Sequence, residues 1–368
     1  MEKKFVLKGL DDYNVVELKK YWQGWDPKKD EPKILGLGLS CSFLCNYKCN
    51  YCYVGEKRPG ADELTLGEQL NLIDQAVDLG AKTVIICGDG DPLMDKNLCY
   101  MTEHAYKKGM TSVVVTNSAV MGDDKLAMKI HNKTGREVAQ ALYNSGCSLV
   151  VKMDTLNPEL YEKIVNVSGS FEKFKKAIKH IIDIGFTKEN YIKEVSVTRL
   201  GFSAVVMKQT YDEVPEMKRY ADTIGAQFIC KVPSLVGNAL NNLDQMFHVN
   251  DYEKVRKYLK QYTAKRETLM VDIPRCMAWH YGPVIDIRGE VRECYTSPCS
   301  QEKRIGNIRK DSLRELMKKR NQIYDVTKQD YCPVKSRINE EFLTKGFEKV
   351  WNIAEEKACI DYILDSEE

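Results

Sequence analysis

From about residue 34 to residue 232 the chain alternates short apolar runs with amphipathic stretches, the pattern of repeated strand–helix units and a parallel sheet. The apolar runs are Ile34 to Leu39, Thr83 to Cys87, Ser112 to Thr116, Ser148 to Met153, the β-rich stretch Glu194 to Met207, and Gln227 to Val232. Helical signals fill the gaps. Thr65 followed by Glu68 is a capping box, and Gly80 closes the helix it opens. Apolar residues at 171, 174, 177, 178 and 181 mark one face of a helix over Ser170 to Ile184, and another helix is expected over Tyr211 to Ile224.

Six such units are too few for a closed eight-unit barrel, so the predicted fold is α/β: a partial (β/α)6 TIM-like barrel with a small C-terminal β-hairpin plus helix cluster-binding domain. The pattern changes after residue 245. A charged helix, Asp251 to Tyr262, leads to VIDI and VREC around Arg288, Gly289 and Glu290, which reads as a hairpin, and a capping box of Ser312 with Glu315 starts a further helix. The expected divisions are an N-terminal extension (1–33), the barrel (34–245), a linker helix (246–270), the hairpin domain (271–335) and a helical tail (336–368). Ligands of such barrels sit where the loops after the strands converge. Cys45, Cys49, Cys52, the loop GDGDP (Gly88 to Pro92), Thr116, Asn117, Lys152 and Asp154 all fall there and are expected to share one mouth.

Charge and composition narrow the function. Lys and Arg (55) nearly balance Asp and Glu (53), which argues against nucleic acid as a partner. No run reaches the roughly 18 apolar residues that span a bilayer, and the charged first 20 residues lack a secretion signal's apolar core, so no membrane association and a cytoplasmic location are expected. Thirteen cysteines in such a chain point to metal or redox chemistry rather than disulfides. Cys87, Cys99, Cys147, Cys230 and Cys359 stand in apolar or helical contexts and read as core filler. Two groups remain, one at Cys41 to Cys52 and one at Cys276, Cys294, Cys299 and Cys332.

In CNYKCNYC three thiols lie four and three positions apart, a spacing that suits an iron–sulfur cluster or zinc from a single loop. Cys41 offers the same first spacing to Cys45, but that set omits Cys52 and the Tyr51–Cys52 pair. Three ligands leave a metal position open for a substrate or cofactor. CxxxCxxC with an aromatic residue before its last cysteine, directly after a first strand, resembles the radical S-adenosylmethionine (SAM) superfamily. That resemblance implies that Cys45, Cys49 and Cys52 hold a [4Fe–4S] cluster, that its unique iron chelates SAM, and that one electron splits SAM to methionine and a 5′-deoxyadenosyl radical that takes a substrate hydrogen. It further implies Tyr51 beside the adenine and Gly88, Gly90 and Asp91 as the counterpart of the family's GGEP-like loop, with Asp91 meeting the SAM ammonium. Thr116 and Asn117 would meet the methionyl carboxylate, and Lys152 and Asp154 the ribose or substrate.

The C-terminal group resembles the family's auxiliary-cluster extension in its short "twitch" form, related to the longer SPASM form. Cys276 and Cys294 flank the hairpin, Cys332 follows the Ser312 helix, and the fourth ligand is left open among Cys299, Cys359, a substrate atom and none. Two [4Fe–4S] clusters and SAM are therefore the implied cofactors, with an external electron donor such as a flavodoxin or ferredoxin as partner. The implied activity is hydrogen abstraction from a small polar metabolite of sugar, aminocyclitol or nucleoside type, the substrate radical being oxidised through the auxiliary cluster. A maturase that crosslinks a short peptide, and a non-catalytic metal-binding or electron-transfer protein, are the competing readings. The chain ends CIDYILDSEE, without the glycine- and arginine-rich tail of the cyclase of molybdenum-cofactor synthesis.

Overall fold

The computed structural model describes residues 5–10, 24–54, 62–188, 190–192, 195–233, 237–247, 251–262, 282–292 and 305–323. Its strands are β1 (Phe5–Leu7), β2 (Gly36–Leu39), β3 (Thr83–Ile86), β4 (Thr111–Thr116), β5 (Ser148–Lys152), β6 (Asn190–Ile192), β7 (Val195–Thr198), β8 (Leu200–Val205), β9 (Gln227–Lys231), β10 (Val284–Ile285) and β11 (Val291–Arg292). Eight of them form one sheet in the order β11-β10-β2-β3-β4-β5-β8-β9. Every pairing in it is parallel except β10 with β11. The six barrel strands expected from the sequence are β2, β3, β4, β5, β8 and β9, in sequence order.

The β-rich stretch before residue 207 is two strands rather than one. Arg199 stands at the break. Its guanidinium donates to the carbonyls of Tyr143 (2.8 Å) and Cys147 (2.6 Å) and lies 4.3 Å from the Tyr143 ring centre, which turns the chain from β7 into β8. β7 leaves the large sheet and pairs with β1 and β6. The long polar stretch before Gly146 is also subdivided, into helices Ala119–Gly122, Asp124–His131 and Gly135–Asn144. The last of these opens on a second Thr–Glu capping box, Thr134 with Glu137.

Alternation along each strand sorts side chains onto two faces. Leu37, Leu39, Val84, Ile86, Val114, Leu149, Val151, Phe202, Ala204, Phe228 and Cys230 join the main core against the helices. The opposite face carries a smaller cluster, in which Leu7 and Leu10 of the N-terminal segment pack on Ile85, Val113, Val115 and Val150. Thr83, the first residue of β3, donates its hydroxyl to the Gly9 carbonyl at 2.9 Å. The N-terminal segment thus fills the concave side at the amino-terminal ends of the strands, and the opposite end is left for a site.

The C-terminal hairpin forms as read from the sequence, and it joins the large sheet: Val284 and Ile285 pair with Gly38 and Leu39. Helix Leu313–Ile323 buries Leu313, Leu316 and Met317 in the main core, and the Leu313 amide donates to Gln75 Oε1 of helix Leu66–Asp78 at 2.7 Å. Among the described residues no helix is long and apolar enough to cross a membrane.

Candidate active site

The loop from Ser40 to Val54 follows β2 and is gripped from three directions. The amides of Lys48 and Asn50 donate to Val165 O (3.0 Å) and Ile164 O (2.9 Å), at the end of helix Pro158–Val165. From the segment Gly237–Gln245, Asn238 donates its amide N–H to Cys52 O (2.8 Å) and its Nδ2 to Cys49 O (3.1 Å), while Asn50 Nδ2 donates to Gln245 Oε1 at 2.9 Å. From β3, the Asp91 amide donates to Leu44 O at 2.8 Å. Gly90 makes that last approach possible: a Cβ there would stand 2.3 Å from Leu44 O and 2.5 Å from Ser42 O.

Cys45, Cys49 and Cys52 are each partly exposed. Burial pushes the Cys49 thiol well above its usual range, with Asp154, Cys52 and Cys45 adding to the effect, so the three sulfurs are electrostatic neighbours. Among the described residues no three His, Cys, Asp or Glu side chains are grouped so as to hold a metal ion. Three thiols carried by one loop are ligand chemistry shared by zinc and iron–sulfur clusters. Cys41 belongs elsewhere, 4% exposed and packed in the main core.

The ends of β3 and β4 are joined to this loop by one polar network. Asp91 accepts from the Thr116 hydroxyl (2.8 Å), the Asn117 amide (2.7 Å) and the Leu93 amide (3.0 Å). Asn117 Nδ2 reaches Asn46 Oδ1 at 2.9 Å and Cys45 Sγ at 4.0 Å. The carboxylate is therefore held in a fixed orientation by donors to its charged form, the arrangement that preorganises an acid to meet an ammonium group. Gly88, with φ +130°, lets the chain pass Ser40, whose hydroxyl would stand 2.1 Å from a Cβ.

Across the mouth, at the end of β5, Tyr51 donates its hydroxyl to Asp154 Oδ2, and Asp154 Oδ1 accepts from the Val205 amide (2.7 Å) and lies 3.4 Å from Lys152 Nζ. Lys152 Nζ also stands 5.2 Å from the Tyr51 ring centre. Burial pushes Tyr51 well above the usual phenol range, reinforced by Asp154, so the hydroxyl stays a donor. All eleven barrel-region residues singled out from the sequence lie on these four loops or on the strand ends that bear them; Cys276, Cys294, Cys299 and Cys332 lie outside the described residues.

The sequence reading did not include Arg292, Lys231 or Asn238. Arg292 at the end of β11 binds Asp89 (3.0 Å) and Asp286 (3.1 Å), tying the hairpin to the β3 loop. Lys231 lies inside the strand expected over Gln227 to Val232 and is the last residue of β9. Cys87, read as core filler, falls on the concave face instead: Val84 and Ile86 face the helices, and the next inward positions are Ile85 and Cys87. Burial pushes its thiol up to about 11.

Residues 39–221 match the sequence profile of the Radical SAM superfamily. A probable GTP 3′,8-cyclase of Methanococcus maripaludis is 25% identical over 244 residues, covering 62% of this chain and 73% of that protein. A probable GTP 3′,8-cyclase of Methanocaldococcus jannaschii is 26% identical over 53% of this chain and 57% of its own length, and a GTP 3′,8-cyclase of Desulforamulus reducens 28% identical over 40% and 42%. Among solved structures, Streptococcus suis SuiB bound to S-adenosylmethionine shares the fold with a TM-score of 0.58 at 16% identity, over 82% of this chain and 68% of that one. The structure of anSMEcpe with AdoMet and the Cp18Cys peptide gives 0.53 at 17% identity, over 82% and 85%.

Proposed function

On the premise that this chain belongs to the radical SAM superfamily, we propose that Cys45, Cys49 and Cys52 hold the [4Fe–4S] cluster of an enzyme that cleaves SAM reductively and abstracts hydrogen from a small polar metabolite of sugar, aminocyclitol or nucleoside type. When bound, cluster and SAM supply a carbon-centred radical able to take an unactivated hydrogen atom. The observation that carries this reading is the continuous network from Asp91 through Asn117 to Cys45. It sets a rigidly oriented carboxylate and a side-chain amide beside the thiol loop, where an amino acid's ammonium and carboxylate need partners.

In this reading Asp91 accepts from the SAM ammonium, the Thr116–Asn117 turn faces its carboxylate, and Gly88 and Gly90 keep the backbone low enough to admit it. Tyr51, fixed by Asp154, borders the adenine side, and Lys152 with Asp154 meets ribose or substrate. The relatives named GTP 3′,8-cyclase support a nucleoside-type substrate. A second [4Fe–4S] cluster on Cys276, Cys294 and Cys332, with Cys299 as candidate fourth ligand, and a flavodoxin- or ferredoxin-type reductant complete the proposal.

The test is direct. Anaerobically reconstituted protein given dithionite and SAM is expected to release methionine and 5′-deoxyadenosine in equal amounts, and the Cys45→Ala, Cys49→Ala and Cys52→Ala variants none. Absence of 5′-deoxyadenosine from iron-loaded wild-type protein would refute the reading.

A further inference from the structure

The two lysines that close β5 and β9 lie on the same side of the sheet. In β5, Leu149 and Val151 pack against the helices, which turns Val150 and Lys152 to the concave side. In β9, Phe228 and Cys230 do the same, which turns Ile229 and Lys231 inward. Strand β8 lies between them in register: Lys152 is opposite Ser203, and Lys231 is opposite Val205. Ser203 shares the inward side, since Phe202 and Ala204 face the helices. Both lysines are the final residues of their strands and so stand at the mouth, Lys231 two strands beyond β5 and away from the cysteine loop.

Their surroundings are short of negative charge. Lys152 has Asp154 at 3.4 Å, but that carboxylate also serves the Tyr51 hydroxyl and the Val205 amide. Among the described residues the Lys231 ammonium has no ion pair and no hydrogen bond. Lys231 is nonetheless close enough to act on its neighbours: burial lowers Lys152 most, Asp154 works against that, and Lys231 lowers it further. The acids that act on nearby Cys87 are already engaged, Asp89 by Arg292 and Asp91 by Thr116, Asn117 and Leu93. Cys87 itself stays a neutral thiol. Two like charges at one mouth, Lys152 partly buried and Lys231 exposed, repel until an anion sits between them.

Resting on the radical SAM reading, we infer that Lys231 and Lys152, with the Ser203 hydroxyl between them, form an anion-binding subsite for the substrate, so that the substrate carries a carboxylate or phosphate group held on the β8–β9 side of the mouth. Fixing a charged tail there leaves the rest of a small molecule directed toward the cysteine loop and the SAM cradle, which is the orientation hydrogen abstraction requires.

The test uses reconstituted, SAM-loaded holoenzyme, titrated anaerobically with inorganic tripolyphosphate and, separately, with citrate, at constant ionic strength. Wild type is expected to bind at least one of the two. Lys231→Gln should weaken that binding about tenfold or more, and Lys231→Arg should restore most of it. Iron content and thermal melting establish that both variants are folded. Preference for tripolyphosphate assigns a phosphorylated substrate, and preference for citrate a carboxylate. Failure of wild type to bind either anion, or equal binding by Lys231→Gln, overturns the inference. Formation of 5′-deoxyadenosine by the wild type, measured alongside, separates such a failure from failure of the radical SAM reading itself.

Discussion

Arg292 places a guanidinium nitrogen 3.0 Å from Asp89 Oδ1, although 203 positions separate the two residues. The same guanidinium holds Asp286 at 3.1 Å, and the three side chains are only 16%, 5% and 6% exposed. A hairpin strand at the sheet edge is thereby fastened to the loop that presents Asp91.

Arg292→Ala leaves two nearly buried carboxylates without this cation, and breaking such a pair costs about 3 kcal/mol. Urea unfolding should show that loss, with part of it recovered when Asp89→Asn is added, because the second change removes one of the stranded charges. Full additivity of the two substitutions would show that the pair is not coupled.

Gly90→Ala is expected to unseat the cysteine loop, since the new Cβ meets the carbonyls of Leu44 and Ser42, which are backbone and cannot rotate away. Iron content after anaerobic reconstitution should fall well below wild type, with a lowered melting temperature. Gly67→Ala is the control: nothing lies within 4 Å of its Cβ, and its helical position favours alanine by up to about 1 kcal/mol.

The Glu68 carboxyl is held down to about 2 by Arg309 first and then by the Thr65 amide and hydroxyl, against an ordinary value of 4.5. A depressed acid contributes stability above its unfolded pKa and loses it as the pH falls toward the folded one. The contribution is therefore full above pH 4.5 and disappears between there and about 2. Glu68→Gln should flatten the loss of stability across that window, as followed by urea midpoints. Added salt should shrink the difference between the two proteins, because Glu68 and Arg309 are 30% and 26% exposed.

Local signals carried far into this structure. The helix over Ser170–Ile184 has the limits its apolar spacing predicts, and the Thr65–Glu68 and Ser312–Glu315 boxes form as written. Their order along the chain also put Cys45, Cys49, Cys52, Asp91, Thr116 and Asn117 at one mouth, because each ends or follows one of the parallel strands β2, β3 and β4. What local pattern did not carry were relations made through space. The β7–β8 break depends on Arg199 finding the Tyr143 and Cys147 carbonyls, and the hairpin's place depends on β10 pairing with β2. Lys231 gains its meaning only from the register that sets it near Lys152, and Cys87 only from facing the concave side.

In the proposed chemistry the Cys45–Cys49–Cys52 loop holds a cluster with one iron free to take SAM. The most direct test is the electron paramagnetic resonance spectrum of the reduced protein, recorded before and after addition of SAM, in wild type and in the Cys276→Ala/Cys294→Ala/Cys332→Ala variant, which isolates the N-terminal loop. The expected result is a [4Fe–4S]+ signal in that variant whose g-values shift when SAM is added. A signal that SAM leaves unchanged, or protein carrying zinc at this loop, would contradict it.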